Sequence, residues 1–179
     1  MTPRSKHAMR HIGVTATRLV RRCRSPWKRQ IFERLEEGRS TSMRRSVRIL
    51  VVDDFGPFRS FVRTTLQKHP ELEIIGEASD GLEAIQKLES LKPDPVLLDI
   101  GPPKLSGIEI ARQIRVLSPG SKFLMVTEER SEEVIRECLW LGASGYLVKS
   151  DAAWELELAI NSVIDGTRFL STSAFLRPG

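Results

Sequence analysis

Asp53-Asp54, Asp99, Thr127 and Lys149 are the residues of this chain whose types could do chemistry together. From Asp54 onward they stand 45, 28 and 22 residues apart. If the fold gathers them, three carboxylates, a hydroxyl and an ammonium face one crevice. Crowded carboxylates repel one another and are costly unless a cation joins them. A hard divalent ion with oxygen ligands, Mg²⁺ above all, resolves that crowding. Taken singly, each residue has a plainer reading. An Asp after a strand is commonly a turn or cap residue, a Thr caps the next helix, and a Lys is solvated surface. The set carries the signal, and it does so only if one edge of one sheet presents all five.

The elements that must position them are legible in the apolar pattern. Val47-Arg-Ile-Leu-Val-Val52 is a near-continuous apolar run of the kind a strand covered on both faces requires, and it ends at Asp53. Phe58, Phe61, Val62, Thr65 and Leu66 follow at helical spacing. Leu72–Ile75 reads as a second strand, and Asp80 as the cap of a helix with Ala84, Ile85, Leu88 and Leu91 inward. Pro95–Leu98 is a third strand, its Pro at the start where no ladder donor is lost, and it ends at Asp99. A helix over Ser106–Leu117 leads to Lys122–Val126, which ends at Thr127. Ser131, Glu132 and Glu133 suit a helix start and Gly142 its stop. Gly145–Val148 ends at Lys149, and a last helix with Leu156, Ala159, Ile160 and Val163 inward stops at Gly166. Strands alternating with helices argue an α/β class with a parallel sheet. Such sheets gather their chemistry at the carboxyl ends of the strands, near the switch in strand order.

The bulk numbers agree with a soluble domain carrying one unusual segment. The 179 residues are 40% apolar and 28% charged, with a net charge of +5. Residues 1–46 hold 13 Lys/Arg against 3 Asp/Glu, a net of +10, while residues 47–179 hold 15 against 20, a net of −5. The basic balance therefore belongs to the first segment, and the folded part does not carry the charge of a nucleic-acid-binding domain. Residues 1–46 are expected to form a largely disordered basic extension, with a short helix allowed near Arg18–Arg24 and Trp27–Glu37. They could be an arm for nucleic acid or an acidic partner, or a tail without a role. The favoured reading takes Met43 as the true start, because Met43-Arg-Arg-Ser leads straight into the first strand. No apolar run approaches a membrane span, no secretory h-region is visible, and Cys23 and Cys138 make no disulfide framework, so a cytoplasmic setting is expected.

Ile49-Leu-Val-Val-Asp-Asp54, Leu97-Leu-Asp-Ile100 with Pro103 and Gly107, Val126-Thr127 and Gly145-Tyr-Leu-Val-Lys149 together resemble the receiver domain of two-component response regulators. Gly142–Lys149 and Gly166–Ser171 most resemble its nitrate-regulator subfamily. The resemblance covers residues 47–170 and leaves 171–179 as a short tail. It implies a doubly wound five-stranded parallel sheet in flavodoxin-like order 2-1-3-4-5, with five helices. It implies Asp99 as phosphoacceptor, and Asp53, Asp54, Asp99 and the Gly101 carbonyl as Mg²⁺ ligands. Thr127 and Lys149 are then the groups that bind the phosphoryl, and Tyr146 is the switch aromatic, unless it is simply packed on the sheet edge. The partners implied are a sensor histidine kinase or phosphotransfer protein and a downstream protein, with a phosphorylation-dependent homodimer allowed.

Two residues depart from the family pattern. Pro102 stands where a methionine is usual, and Glu128 where a small residue is usual, so Mg²⁺ geometry and phosphoryl transfer could both be altered. Gly101 leaves space for attacking water, and fairly quick self-hydrolysis is expected. The subfamily continues into a DNA-binding helix-turn-helix, which the residues after the last helix do not supply. The main expectation is a single-domain receiver that is not a conventional enzyme and does not bind DNA directly. A truncated transcription regulator and a receiver that never takes phosphate are the alternatives. Phosphatases of the haloacid-dehalogenase type also pair an Asp nucleophile with Mg²⁺, but they need Asp two residues later, where this chain has Gly101 or Phe55.

Overall fold

The computed structural model of the protein describes residues 45–101 and 104–175. The expectations for the basic extension and its Met43 start, for Pro102 and Pro103, and for residues 176–179 lie outside the described residues.

The strands are β1 Val47–Val52, β2 Leu72–Ala78, β3 Pro95–Leu98, β4 Lys122–Thr127, β5 Gly145–Val148 and β6 Phe169–Leu170. The helices are α1 Gly56–Leu66, α2 Gly81–Leu91, α3 Gly107–Leu117, α4 Glu132–Trp140 and α5 Ala152–Asp165. All strand pairs are parallel, in the order β2-β1-β3-β4-β5-β6. Every residue of β3 and β5 is buried, as strands covered on both faces must be. On one face Val62 and Leu66 of α1 and Leu156, Ala159, Ile160 and Val163 of α5 pack on Ile49, Val51, Leu97, Leu124, Val126 and Leu147. On the other, Ala84 and Leu88 of α2, Ile110 and Ile114 of α3 and Ile135 of α4 pack on Leu50, Val52, Val96, Leu98 and Met125.

The sheet corrects the five-strand expectation. Phe169 and Leu170 pair with Gly145 and Tyr146 as a sixth strand on the β5 edge. Two apolar residues are too few to show a strand period, and only a short 3-10 turn, Thr172–Phe175, follows them among the described residues. A side chain at position 145 would meet Phe169 Cβ and its carbonyl oxygen at 3.1 Å, so Gly145 lets the edge strand approach. Past β6, Ser171 is fully buried and its hydroxyl lies 2.5 Å from Asp151 Oδ2 and 2.7 Å from Glu155 Oε2. The second strand also runs to Ala78, beyond the expected Ile75. Glu77 is a polar residue there because it meets Arg59 and Arg63 at the sheet edge.

Helix ends follow their local chemistry. Asp80 accepts from the Glu83 N–H at 2.9 Å and caps α2, and Ser106 accepts from the Glu109 N–H at 3.3 Å and caps α3. Ser131 stands at the N-cap of α4, as expected, but its hydroxyl makes no cap bond; its N–H donates to Glu129 Oε1 at 2.8 Å. Gly142 and Gly166 stop their helices at φ of +97° and +80°, where a Cβ would be strained.

Candidate functional site

Strands β1 and β3 are neighbours at the switch in strand order, since β2 lies on the other side of β1. Val52 pairs with Leu98, so the residues that follow, Asp53 and Asp99, leave adjacent strand ends. The Asp99 N–H donates to the Val52 carbonyl at 2.9 Å and the Asp53 N–H to the Ala78 carbonyl at 3.0 Å. In β4 and β5, Thr127 pairs with Val148, which brings Lys149 to the same rim. Register therefore gathers the residues that the sequence spreads over nearly a hundred positions.

One ligand oxygen from each of Asp53, Asp54 and Asp99 falls within a cluster spanning 4.8 Å. Asp53 and Asp99 are buried and Asp54 is exposed, so the cluster opens to solvent on the Asp54 side. Lys149 Nζ stands 2.8 Å from Asp53 Oδ2 and 3.1 Å from Asp99 Oδ2. Its other neighbour is the Phe58 ring, 5.0 Å from ammonium to centroid, a cation–π contact. Asp53 Oδ1 accepts from the Phe55 N–H and Asp99 Oδ1 from the Ile100 N–H, each at 2.8 Å.

Charge and burial oppose each other here. Burial raises the Asp53 carboxyl above the ordinary aspartate value; the Lys149 ammonium and the Phe55 N–H pull it down, and Asp99 pushes it up again. Burial pulls the Lys149 ammonium down, but Asp53 and Asp99 outweigh it, and the net direction is upward. Lys149 satisfies Asp53 Oδ2 only in part. The two atoms are close enough for an ion pair, yet Oδ2 is buried with no hydrogen-bond donor aligned on it among the described residues. A buried carboxylate oxygen without an aligned donor, next to two more carboxylates, fits a divalent cation with oxygen ligands.

Thr127 is 5% exposed, and its Oγ1 accepts from the Glu129 N–H at 3.3 Å. Tyr146 is fully buried, and its hydroxyl donates to the Glu129 carbonyl at 2.8 Å. Burial holds that phenol above its ordinary range, with the charges of Glu129 and Asp99 adding to the effect. Both side chains are thus tied to the same loop after β4. Glu128, expected to oppose an incoming phosphate, is exposed to solvent. Gly101 is exposed too, and a Cβ there would lie 3.9 Å from Asp99 Oδ2.

Two supports escaped the sequence reading. Phe58 sits at core spacing on its helix, so nothing in the pattern separates a ring packed on apolar neighbours from one under an ammonium. Gly107 showed only as part of a motif. A Cβ at that position would fall 2.1 Å from the Asp99 carbonyl oxygen, because the start of α3 is pressed against the loop that begins at Asp99.

A family model described as "Response regulator receiver domain" matches residues 49–161, the stretch that supplies every residue of this site. The chain belongs to the response regulator receiver family. It is 33% identical over 124 residues to the transcriptional regulatory protein DegU of Brevibacillus brevis, covering 69% of this chain and 52% of that one. Over 125 residues it is 34% identical to the response regulator GacA of Pseudomonas viridiflava, covering 70% of this chain and 58% of the relative. The chain thus spans between half and three fifths of these relatives. Among solved structures, a LuxR-family two-component response regulator from Aurantimonas sp. SI85-9A1 superposes with a TM-score of 0.68 at 31% identity, covering 72% of this chain and 92% of that one. The NarL signal receiver domain of Mycobacterium tuberculosis gives 0.64 at 28% identity, covering 68% and 98%. As a receiver, the chain has the acidic pocket through which its family binds Mg²⁺, and no helix among the described residues is long and apolar enough to cross a membrane.

Proposed function

We propose that this receiver accepts a phosphoryl group on Asp99 and passes on its modified state through a protein-binding surface. The observation that carries the reading is the convergence of Asp53, Asp54, Asp99 and Lys149 on one strand rim. An Asp99 carboxylate oxygen attacks phosphorus of a partner's phosphohistidine. The new O–P bond forms as the P–N bond breaks, and the imidazole leaves with the bonding pair and takes up a proton. Lys149 pairs with the oxygens of the transferring group, exchanging part of its contact with Asp53 and Asp99 for the new charge. Asp53, Asp54, Asp99 and the Gly101 carbonyl would hold Mg²⁺, which supplies charge neutralisation at those oxygens.

The phosphoryl group adds charge and acceptor oxygens where Thr127 and Lys149 can reach them. A Thr127 hydroxyl drawn toward the phosphate gives up the Glu129 N–H. Tyr146, tied to the Glu129 carbonyl, then feels the loop move. That differential interaction biases the surface made by α4, β5 and α5, which a downstream protein reads. The reaction is the chain's own modification, with a histidine kinase or phosphotransfer protein as donor.

A second reading concerns the output. One relative is named a DNA-binding transcriptional activator and another a transcriptional regulatory protein, and both extend well beyond the matched region, which favours a receiver that belongs to a transcription regulator. Protein-glutamate methylesterases share the same module, at 33% identity in one case, so the receiver alone does not choose the output. Acetyl phosphate with Mg²⁺, followed by intact mass, tests the acceptor: one phosphoryl group is expected on the wild type and none on Asp99→Asn. Phosphorylation of both to the same extent would move the acceptor elsewhere.

A further inference from the structure

We propose that Arg59 is a positioning residue for the metal ligands Asp53 and Asp54, holding the peptide group that joins them. The inference rests on the reading of the acidic cluster as a Mg²⁺ site. Arg59 Nη1 donates to the Asp53 carbonyl oxygen at 2.6 Å, from the first turn of α1. Its Nε donates to Glu77 Oε2 at 3.2 Å, so β2 holds the guanidinium in place. Glu77 is in turn fixed by Arg63, whose Nη2 and Nε reach Oε1 at 2.6 and 3.0 Å.

The polar groups of Asp53 show why this contact matters. The residue lies one position beyond the last β1 ladder partner and is 2% exposed. Its N–H is taken by the Ala78 carbonyl and its Oδ1 by the Phe55 N–H. A buried carbonyl at a strand end needs a donor, and neither β2 nor β3 supplies one. Arg59 is that donor. Three of the four polar atoms of Asp53 are then committed, and only Oδ2 points at the site without an aligned hydrogen bond. The Asp53 carbonyl belongs to the peptide that leads into Asp54, so its orientation also sets where the Asp54 side chain starts. Residues that orient metal ligands from behind in this way typically govern metal affinity by about 10- to 100-fold. The planar guanidinium serves Asp53 and Glu77 together, which the single ammonium of a lysine does less well.

Arg59→Met keeps the aliphatic stem and removes the donors. Mg²⁺ titration calorimetry of the full chain, with urea unfolding in EDTA alongside, is expected to show affinity about tenfold weaker with the fold retained. Arg59→Lys recovers part of that loss. Arg63→Met, which breaks the same surface network without touching Asp53, stays within about twofold of wild type. If the wild type and Arg59→Met bind Mg²⁺ equally, the inference is overturned. Equal losses in the Arg59 and Arg63 variants would overturn it too, since the network rather than the carbonyl contact would then be responsible. Should Arg59→Met not fold, Arg59→Lys decides, with wild-type affinity in both Arg59→Lys and Arg63→Met counting against a guanidinium-specific role. Wild-type protein that binds no Mg²⁺ would instead remove the reading on which the inference stands.

Discussion

Replacing Gly107 by alanine adds one carbon to the start of α3, and it should damage both stability and phosphorylation. The added Cβ would lie 2.1 Å from the Asp99 carbonyl oxygen, 2.8 Å from Ile100 Cα and 2.9 Å from the Asp99 carbonyl carbon. Heavy atoms rest at about 3.5 Å, so helix and loop must separate by about 1 Å or more. The Gly107 N–H holds them together by donating to the Ile100 carbonyl at 2.9 Å, and that bond is strained or lost. Forcing an extra carbon into such a contact costs about 1–3 kcal/mol. Helix propensity pulls the other way, because alanine is preferred over glycine by up to about 1 kcal/mol. The sign of the result therefore separates contact from propensity. Urea unfolding in EDTA is expected to show a net loss of about 1–2 kcal/mol. The loop cannot retreat without carrying the Asp99 main chain, and a misplacement of about 1 Å at a reacting group costs on the order of 100-fold in rate. Phosphorylation by acetyl phosphate, followed by intact mass, reads that second loss. A Gly107→Ala protein that is as stable as wild type and phosphorylates as fast would refute the steric argument.

Three further outcomes follow from the same geometry. In EDTA, Asp53→Asn gains stability relative to wild type as pH rises from the ordinary aspartate value through the raised Asp53 value, because the folded state there holds the proton that the unfolded chain releases. Thermal unfolding of both proteins across that window checks this, and a gap independent of pH would contradict it. Gly101→Met places a side chain beside Asp99 Oδ2 and screens it from water, so an aspartyl phosphate should survive roughly tenfold longer than in the wild type, for which quick decay is expected. The decay of the phosphorylated mass reports it; a wild-type lifetime of days would be inconsistent with an open acceptor. Ser171→Ala leaves Asp151 and Glu155 without a shared buried partner and should lower stability by about 1–3 kcal/mol in urea. A loss below about 0.3 kcal/mol would mean that the Ser171 hydroxyl is not what ties Asp151 and Glu155 to the end of β6.

The residue types at the strand ends were legible before any coordinates, because a buried parallel strand is written as an unbroken apolar run and the first charged residue after it marks the rim. That rule picked out Asp53, Asp99 and Lys149, and helix-stop chemistry picked out Gly142 and Gly166. The edge strand Phe169–Leu170 was not legible, since its only support is a partner 24 residues earlier and a glycine that lets it close in. Ser131 was placed correctly at the start of its helix, but whether its hydroxyl would close a cap bond was not legible, and it makes none. Register decided the rest. Whether Asp53 and Asp99 stand side by side depends on Val52 meeting Leu98, and whether the Asp53 carbonyl finds Arg59 depends on how α1 packs back on β1. Local sequence specifies which residues leave the strands and in what order. Only the folded sheet sets the ångström distances between them, because those distances are sums over packing contacts that no local pattern encodes.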